Sequence, residues 1–249
     1  MENDVDDQRL NKTYVEIYTR WVIDPLAVPT ARWLSRFGWV TPNRITAVSG
    51  ITGLGAALCL FTGLLPLGGA LFLIRFFIDC LDGKVARAQG TSSERGAALD
   101  LVMDVSGILL CSAALSWHLV VVSVLSPAIG FGLLVALGIF NWLLQYRKQL
   151  AERHAQGTGG ANRAWSTDLP LIGSYVRWSK KMQMNPVPYT VEMETLALGV
   201  LPLFSNDRLA AVGITVALVF YSLACVVNFR RVWRIAGEAD HTRTIRGEK

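Results

Sequence analysis

Between residues 44 and 229 most of the chain consists of apolar runs about as long as a bilayer is thick, and two of those runs carry aspartates. Stretches of roughly 20 apolar residues must satisfy their own backbone in lipid, which a helix does within a single segment. The spans expected are roughly 44–62, 68–87, 96–117, 127–146, 188–204 and 208–229, the fifth being short and opening with Glu192 and Glu194. The fold class is therefore all-α: a polytopic membrane protein of six transmembrane helices, preceded by an N-terminal interfacial helix.

The boundaries follow from local signals. Residues 1–12 read as disordered. Residues 13–40 mix Tyr14, Trp21, Trp33 and Trp39 with Arg20, Arg32 and Arg36, as an interfacial helix does, and Pro25 and Pro29 are expected to interrupt any single long one. Thr41 can cap the first span and Pro42 suits its first position. The run from Leu64 to Gly69 reads as a short uncharged turn, and Ala88 to Arg95 as a polar one. This gives a start at 1–40, a six-helix domain at 41–234 and a mobile tail at 235–249.

Charge decides the orientation. Only 17% of residues are charged and 52% are hydrophobic, against about 25% charged in soluble domains. The net +5 is spread between apolar segments rather than along one polar face, which speaks against nucleic acid as a partner. With six spans, both termini, Lys84, Arg87, Arg95, the 147–187 segment and the C-terminal arginines share one side, and the other side has only Arg208. Basic loops stay inside, so that face is cytoplasmic, and the expected location is the plasma (inner) membrane of a prokaryote. The acidic start has no basic region followed by an apolar core, so no cleavable signal is indicated. Cys59, Cys80, Cys111 and Cys225 form no CxxC pair and read as small buried residues.

The aspartates carry the chemistry. Asp79, Asp82, Gly83 and Ala86 are separated by steps of three and four, so they share one helix face; Gly96, Asp100 and Asp104 step by four along a second. Two antiparallel helices then present carboxylates to one another. An ionised carboxylate in such apolar surroundings is costly unless something positive meets it, and a cage of hard oxygens suits a pair of divalent cations, Mg²⁺ or Mn²⁺. Arg75, one turn before Asp79, reads as a structural ion pair with Asp79 or with a carboxylate of a neighbouring helix.

Asp79-x2-Asp82-Gly83-x2-Ala86-Arg87-x8-Gly96-x3-Asp100-x3-Asp104 resembles, at every fixed position, the signature of the CDP-alcohol phosphotransferase family. The resemblance covers residues 41–104 well and the remainder in helix count. It implies transfer of a phospho-alcohol group from a CDP-linked donor to an acceptor hydroxyl, with release of CMP. It further implies Asp79, Asp82 and Asp100 as metal ligands, with Asp104 touching one metal and acting as general base. Asp82, Gly83, Ala86, Arg87 and Gly96 become the CDP-binding residues, Arg87 by bidentate contact with phosphate. A homodimer is implied as well.

Other readings fit less well. A UbiA-like prenyltransferase needs a further aspartate where Ala86 stands, and an ion carrier is expected to show internal repeats or broken helices, which are not seen. Within the family, a membrane-embedded site favours a lipid donor such as CDP-diacylglycerol. The alternative is a soluble CDP-alcohol with a lipid acceptor. Relatives that use inositol or glycerol phosphate commonly have Arg or Lys after the last aspartate; here Val105 stands there. Arg177, Lys180 and Lys181, in a segment patterned as a short interfacial helix, are the candidate cations for an anionic acceptor such as a sugar or polyol phosphate.

Overall fold

The structure is a computed structural model that describes residues 16–155 and 190–246. Every element in them is helical. A π-helical turn, Thr19–Ile23, leads into α1 (Asp24–Leu34). Then come α2 (Pro42–Phe61), α3 (Leu65–Gln89), α4 (Glu94–Val121) and α5 (Pro127–Ala155). After residue 190, α6 (Thr190–Glu194) runs into a π-helical stretch, Thr195–Val200, and a last turn, Leu201–Leu203; α7 (Asp207–Arg246) follows.

Several boundaries differ from the sequence reading, each for a physical reason. Pro25 and Pro29 do not split the N-terminal helix. Pro25 has no N–H for the carbonyl of Trp21, and the chain widens there into i to i+5 bonding, with the Asp24 N–H donating to Thr19 O. Thr41 starts α2 through its backbone, its carbonyl accepting from Arg44 and Ile45 N–H, and its side chain makes no cap. The turn expected over Leu64–Gly69 lies earlier. It centres on Gly63, at φ +81°, and Pro66 belongs to the first turn of α3. A side chain at Gly63 would be strained and would also strike His118, whose Cε1 lies 2.5 Å from where a Cβ would be. The helix α7 runs to Arg246, so the boundary placed after residue 234 falls inside it.

The hairpin that carries the motif is closed tightly. Gly90, at φ +65°, ends α3; Thr91 N–H donates to Ala86 O and Gly90 N–H to Arg87 O, the paired bonds of a Schellman ending. Ser93 then caps α4 by accepting from the Gly96 N–H at 3.1 Å. Among the described residues, four helices are long and apolar enough to cross a bilayer: Pro42–Phe61, Glu94–Val121, Pro127–Leu150 and Asp207–Gly237. Their outward faces are apolar, including Ile51, Leu54, Phe131, Trp142 and Leu223. α3, at 25 residues, spans about 37 Å at 1.5 Å per residue, but its interior holds charge: Arg75, Asp82 and Lys84 are buried.

The main core joins Leu60 and Phe72 to Leu115, Leu133, Leu198, Ile214 and Tyr221. Small residues set the closest approaches, as they do between helices that gain little from hydrophobic contact in lipid. A Cβ at Gly69 of α3 would stand 2.4 Å from Gly199 O. A second cluster seats α1 on α3, with Ile23, Ala27 and Ala31 against Leu81 and Val85, and leaves Trp21, Leu26 and Trp33 exposed.

Candidate functional site

The site is built by α2, α3 and α4 around the turn just described. Asp79 and Asp82, one turn apart on α3, meet Asp100 of α4, with one carboxylate oxygen from each lying within 4.8 Å of the others. The helix α2 supplies hydroxyls. Thr46 Oγ1 donates to Asp82 Oδ2 at 2.6 Å, and Ser49 Oγ reaches Asp79 Oδ1 at 3.4 Å. Three carboxylates this close repel one another unless positive charge lies among them, and hard oxygens of this number and kind fit a divalent cation.

Asp104 stands outside that triplet. Its Oδ1 accepts from Arg75 Nη2 at 2.9 Å, and its side chain keeps 40% exposure while that of Arg75 keeps 2%. Of the two pairings open to Arg75 in the sequence, the neighbouring helix has taken it. Arg87 folds back over the motif glycine: a Cβ at Gly83 would lie 3.4 Å from Arg87 Nη1. Ala86 contributes its carbonyl to the helix ending, and a Cβ at Gly96 would stand 3.2 Å from Ser93 Oγ and 3.7 Å from Asn43 Oδ1, a close approach between α4 and α2. Arg177, Lys180 and Lys181 lie outside the described residues.

Sequence reasoning missed the contributions of six residues. Thr46, Ser49 and Gly53 line one face of α2 at steps of three and four; that polar and small stripe on an apolar helix was the available signal. Asp24, the lone acid of α1, is buried and meets buried Lys84 of α3 at 2.7 Å, which fastens the N-terminal helix to the motif helix. Glu194 accepts a hydrogen bond from Tyr221 Oη, between α6 and α7. Glu192 Oε1 accepts from the Tyr18 N–H at 3.2 Å.

The model of the CDP-alcohol phosphatidyltransferase family matches residues 39–235. The chain belongs to this family. Phosphatidylinositol phosphate synthase of Mycolicibacterium smegmatis is 30% identical over 194 residues, covering 75% of this chain and 82% of that one. The bifunctional IPC transferase and DIPP synthase of Aquifex aeolicus is 39% identical over 79 residues, 32% of this chain and 18% of that protein. Among solved structures, the apo form of Mycobacterium tuberculosis phosphatidylinositol phosphate synthase shares the fold. It aligns at TM-score 0.51 and 22% identity over 82% of this chain and 95% of that one. As a CDP-alcohol phosphatidyltransferase the chain is a transferase of phospholipid biosynthesis and an integral membrane protein, with an aspartate triplet placed to hold a metal ion.

Proposed function

We propose that this enzyme moves a phosphatidyl group from a CDP-linked lipid donor, CDP-diacylglycerol, to the hydroxyl of a small polyol or sugar phosphate and releases CMP. The observation that carries the reading is the meeting of Asp79, Asp82 and Asp100, with Asp104 one helical turn beyond Asp100 on α4. Two divalent cations, Mg²⁺ or Mn²⁺, held by Asp79, Asp82 and Asp100, would screen the donor pyrophosphate and stabilise the departing CMP.

The chain's own residues supply the remainder. Thr46 and Ser49 hold the Asp82 and Asp79 carboxylates in place through hydrogen bonds. Arg87, lying over Gly83, binds donor phosphate through its planar fork. Asp104 takes the proton of the acceptor hydroxyl as that oxygen attacks the β-phosphorus; the bond from that phosphorus to the bridging oxygen breaks and CMP leaves. Asp104 is the base in this reading, its Oδ1 held by Arg75 and its Oδ2 left for the acceptor hydroxyl or one of the metals. Arg177, Lys180 and Lys181 recognise the acceptor's phosphate.

In the membrane, α2 to α5, the 190–203 element and α7 are the six spans. The buried charges of α3 face neighbouring helices, and its length suffices to cross. Both termini and the aspartates lie on the cytoplasmic side of a prokaryotic plasma membrane, α1 and the turn before it lie in the interface with Trp33 and Trp21 outward, and two copies associate.

The test is to incubate purified protein with CDP-diacylglycerol and a panel of polyol and sugar phosphates, following CMP release and product mass with Mn²⁺, Mg²⁺ or chelator. Metal-dependent CMP release coupled to a phosphatidyl product supports the reading. No CMP from any CDP-linked lipid sinks it.

A further inference from the structure

We propose that Arg75 is the positioning residue for Asp104, holding one carboxylate oxygen so that the other meets the acceptor hydroxyl. The inference rests on the base role given to Asp104 above and concerns how that base is aimed. Arg75 is almost wholly buried between apolar helices, where a guanidinium is costly unless it is fully engaged. Its Nη2 grips one turn of α4 at three points: Met103 O at 3.4 Å, Asp104 O at 3.1 Å and Asp104 Oδ1 at 2.9 Å.

The slot around it is shaped for a guanidinium. A Cβ at Gly53 of α2 would lie 3.0 Å from Arg75 Cδ and 3.2 Å from Nε. A Cβ at Gly107 of α4 would lie 2.7 Å from Nε, 2.8 Å from Cζ and 2.9 Å from Nη2. Backbone therefore closes on the group from two helices, and the Phe72 ring stands 5.8 Å from Cζ. Lysine, a point charge with one nitrogen, cannot reproduce that fit.

Two further facts separate aiming from mere burial of charge. The Asp104 side chain stays 40% exposed, and its Oδ2 has no partner among the described residues, so the carboxylate is held at one oxygen and reachable at the other. Ser49 Oγ reaches both the Arg75 carbonyl, at 3.3 Å, and Asp79 Oδ1, at 3.4 Å. The turn that grips Asp104 is thereby kept in register with the carboxylate triplet.

The experiment compares Arg75→Met, Arg75→Lys and Gly107→Ala with the unaltered protein. It measures kcat, donor KM and, separately, Mn²⁺ binding by electron paramagnetic resonance. The expected result is a kcat lower by about 100-fold in Arg75→Met and by at least about tenfold in Gly107→Ala. Mn²⁺ affinity and donor KM should stay within about twofold, and Arg75→Lys should restore little. A kcat within about threefold in Arg75→Met, or Mn²⁺ affinity falling in parallel with kcat in both variants, overturns the proposal. A readout independent of turnover accompanies it: the rate at which an anionic methanethiosulfonate modifies Asp104→Cys, with and without Arg75→Met. The cation beside the thiol should speed that reaction about tenfold. Equal rates overturn the proposal whatever the turnover assays show, whereas an unaltered protein that releases no CMP defeats the function reading alone.

Discussion

Lys84 Nζ and Asp24 Oδ1 lie 2.7 Å apart with both side chains buried, so the residue next to the motif glycine is tied to a helix that precedes the family's signature by some 50 positions. A buried pair is weak evidence for stability, but removing one member weakens the compensation of the buried charge that stays behind. Asp24→Asn should therefore lower stability by about 3–5 kcal/mol, while the double replacement Asp24→Leu with Lys84→Met should recover most of that loss. Thermal unfolding in detergent reads both. A double variant as unstable as the single one would show that the charges matter for more than each other.

Thr46 makes a 2.6 Å hydrogen bond to Asp82 in a buried setting. Thr46→Val keeps the shape and removes the donor. A hydrogen bond to a charged group is worth about 1.5–3 kcal/mol, so Mn²⁺ affinity should fall about tenfold or more, with Thr46→Ser near normal. Unchanged Mn²⁺ titration in Thr46→Val would show that Asp82 is held in place without it.

The two kinds of carboxylate should separate under mutation. Asp79→Asn should weaken Mn²⁺ binding itself. Asp104→Asn should abolish CMP release and leave most Mn²⁺ and donor binding intact, because Asp104 is bonded to Arg75 outside the triplet. An active Asp104→Asn enzyme would remove that residue from the base role; equal loss of Mn²⁺ binding in both would make it a ligand.

Orientation has a direct check. A membrane-impermeant thiol reagent should reach a cysteine placed at Ser92 from the cytoplasmic side and one placed at Asn206 from the other. The reason is the clustering of Lys and Arg on the side of the termini. Access to Ser92 only from outside would invert the topology.

The acceptor should depend on charge beyond the helical bundle. Alanine at Arg177, Lys180 or Lys181 should raise acceptor KM about tenfold wherever the replaced cation bonds the acceptor's phosphate, and leave donor KM nearly unchanged. If acceptor KM is flat in all three, in neutral detergent and in anionic lipid alike, those cations serve the membrane surface and an uncharged acceptor replaces the phosphate.

Much of this protein is legible one segment at a time. Apolar length marked the helices, and the polar turn between α3 and α4 was readable because Gly90 and Ser93 are local signals for a helix end and a helix start. The spacing of Asp79, Asp82 and Asp100 was enough to bring them into one group, since the helical period and a tight hairpin do that geometry alone. What the sequence did not show were partners far apart in the chain. Thr46 with Asp82, Asp24 with Lys84 and Glu194 with Tyr221 are long-range pairings with no local pattern to announce them.

The last of these limits lies between Asp100 and Asp104. By helical spacing they are equivalent: one turn apart, on one face, in the same apolar run, and the family resemblance alone gave them different roles. The tertiary structure separates their surroundings, sending Asp100 to Asp79 and Asp82 and Asp104 to Arg75. The physical reason is that a step of four fixes a direction around α4 and says nothing about what stands opposite each turn. That is set by how closely α2 and α4 close on α3, and they close on the Arg75 guanidinium because Gly53 and Gly107 have no side chain to hold it away.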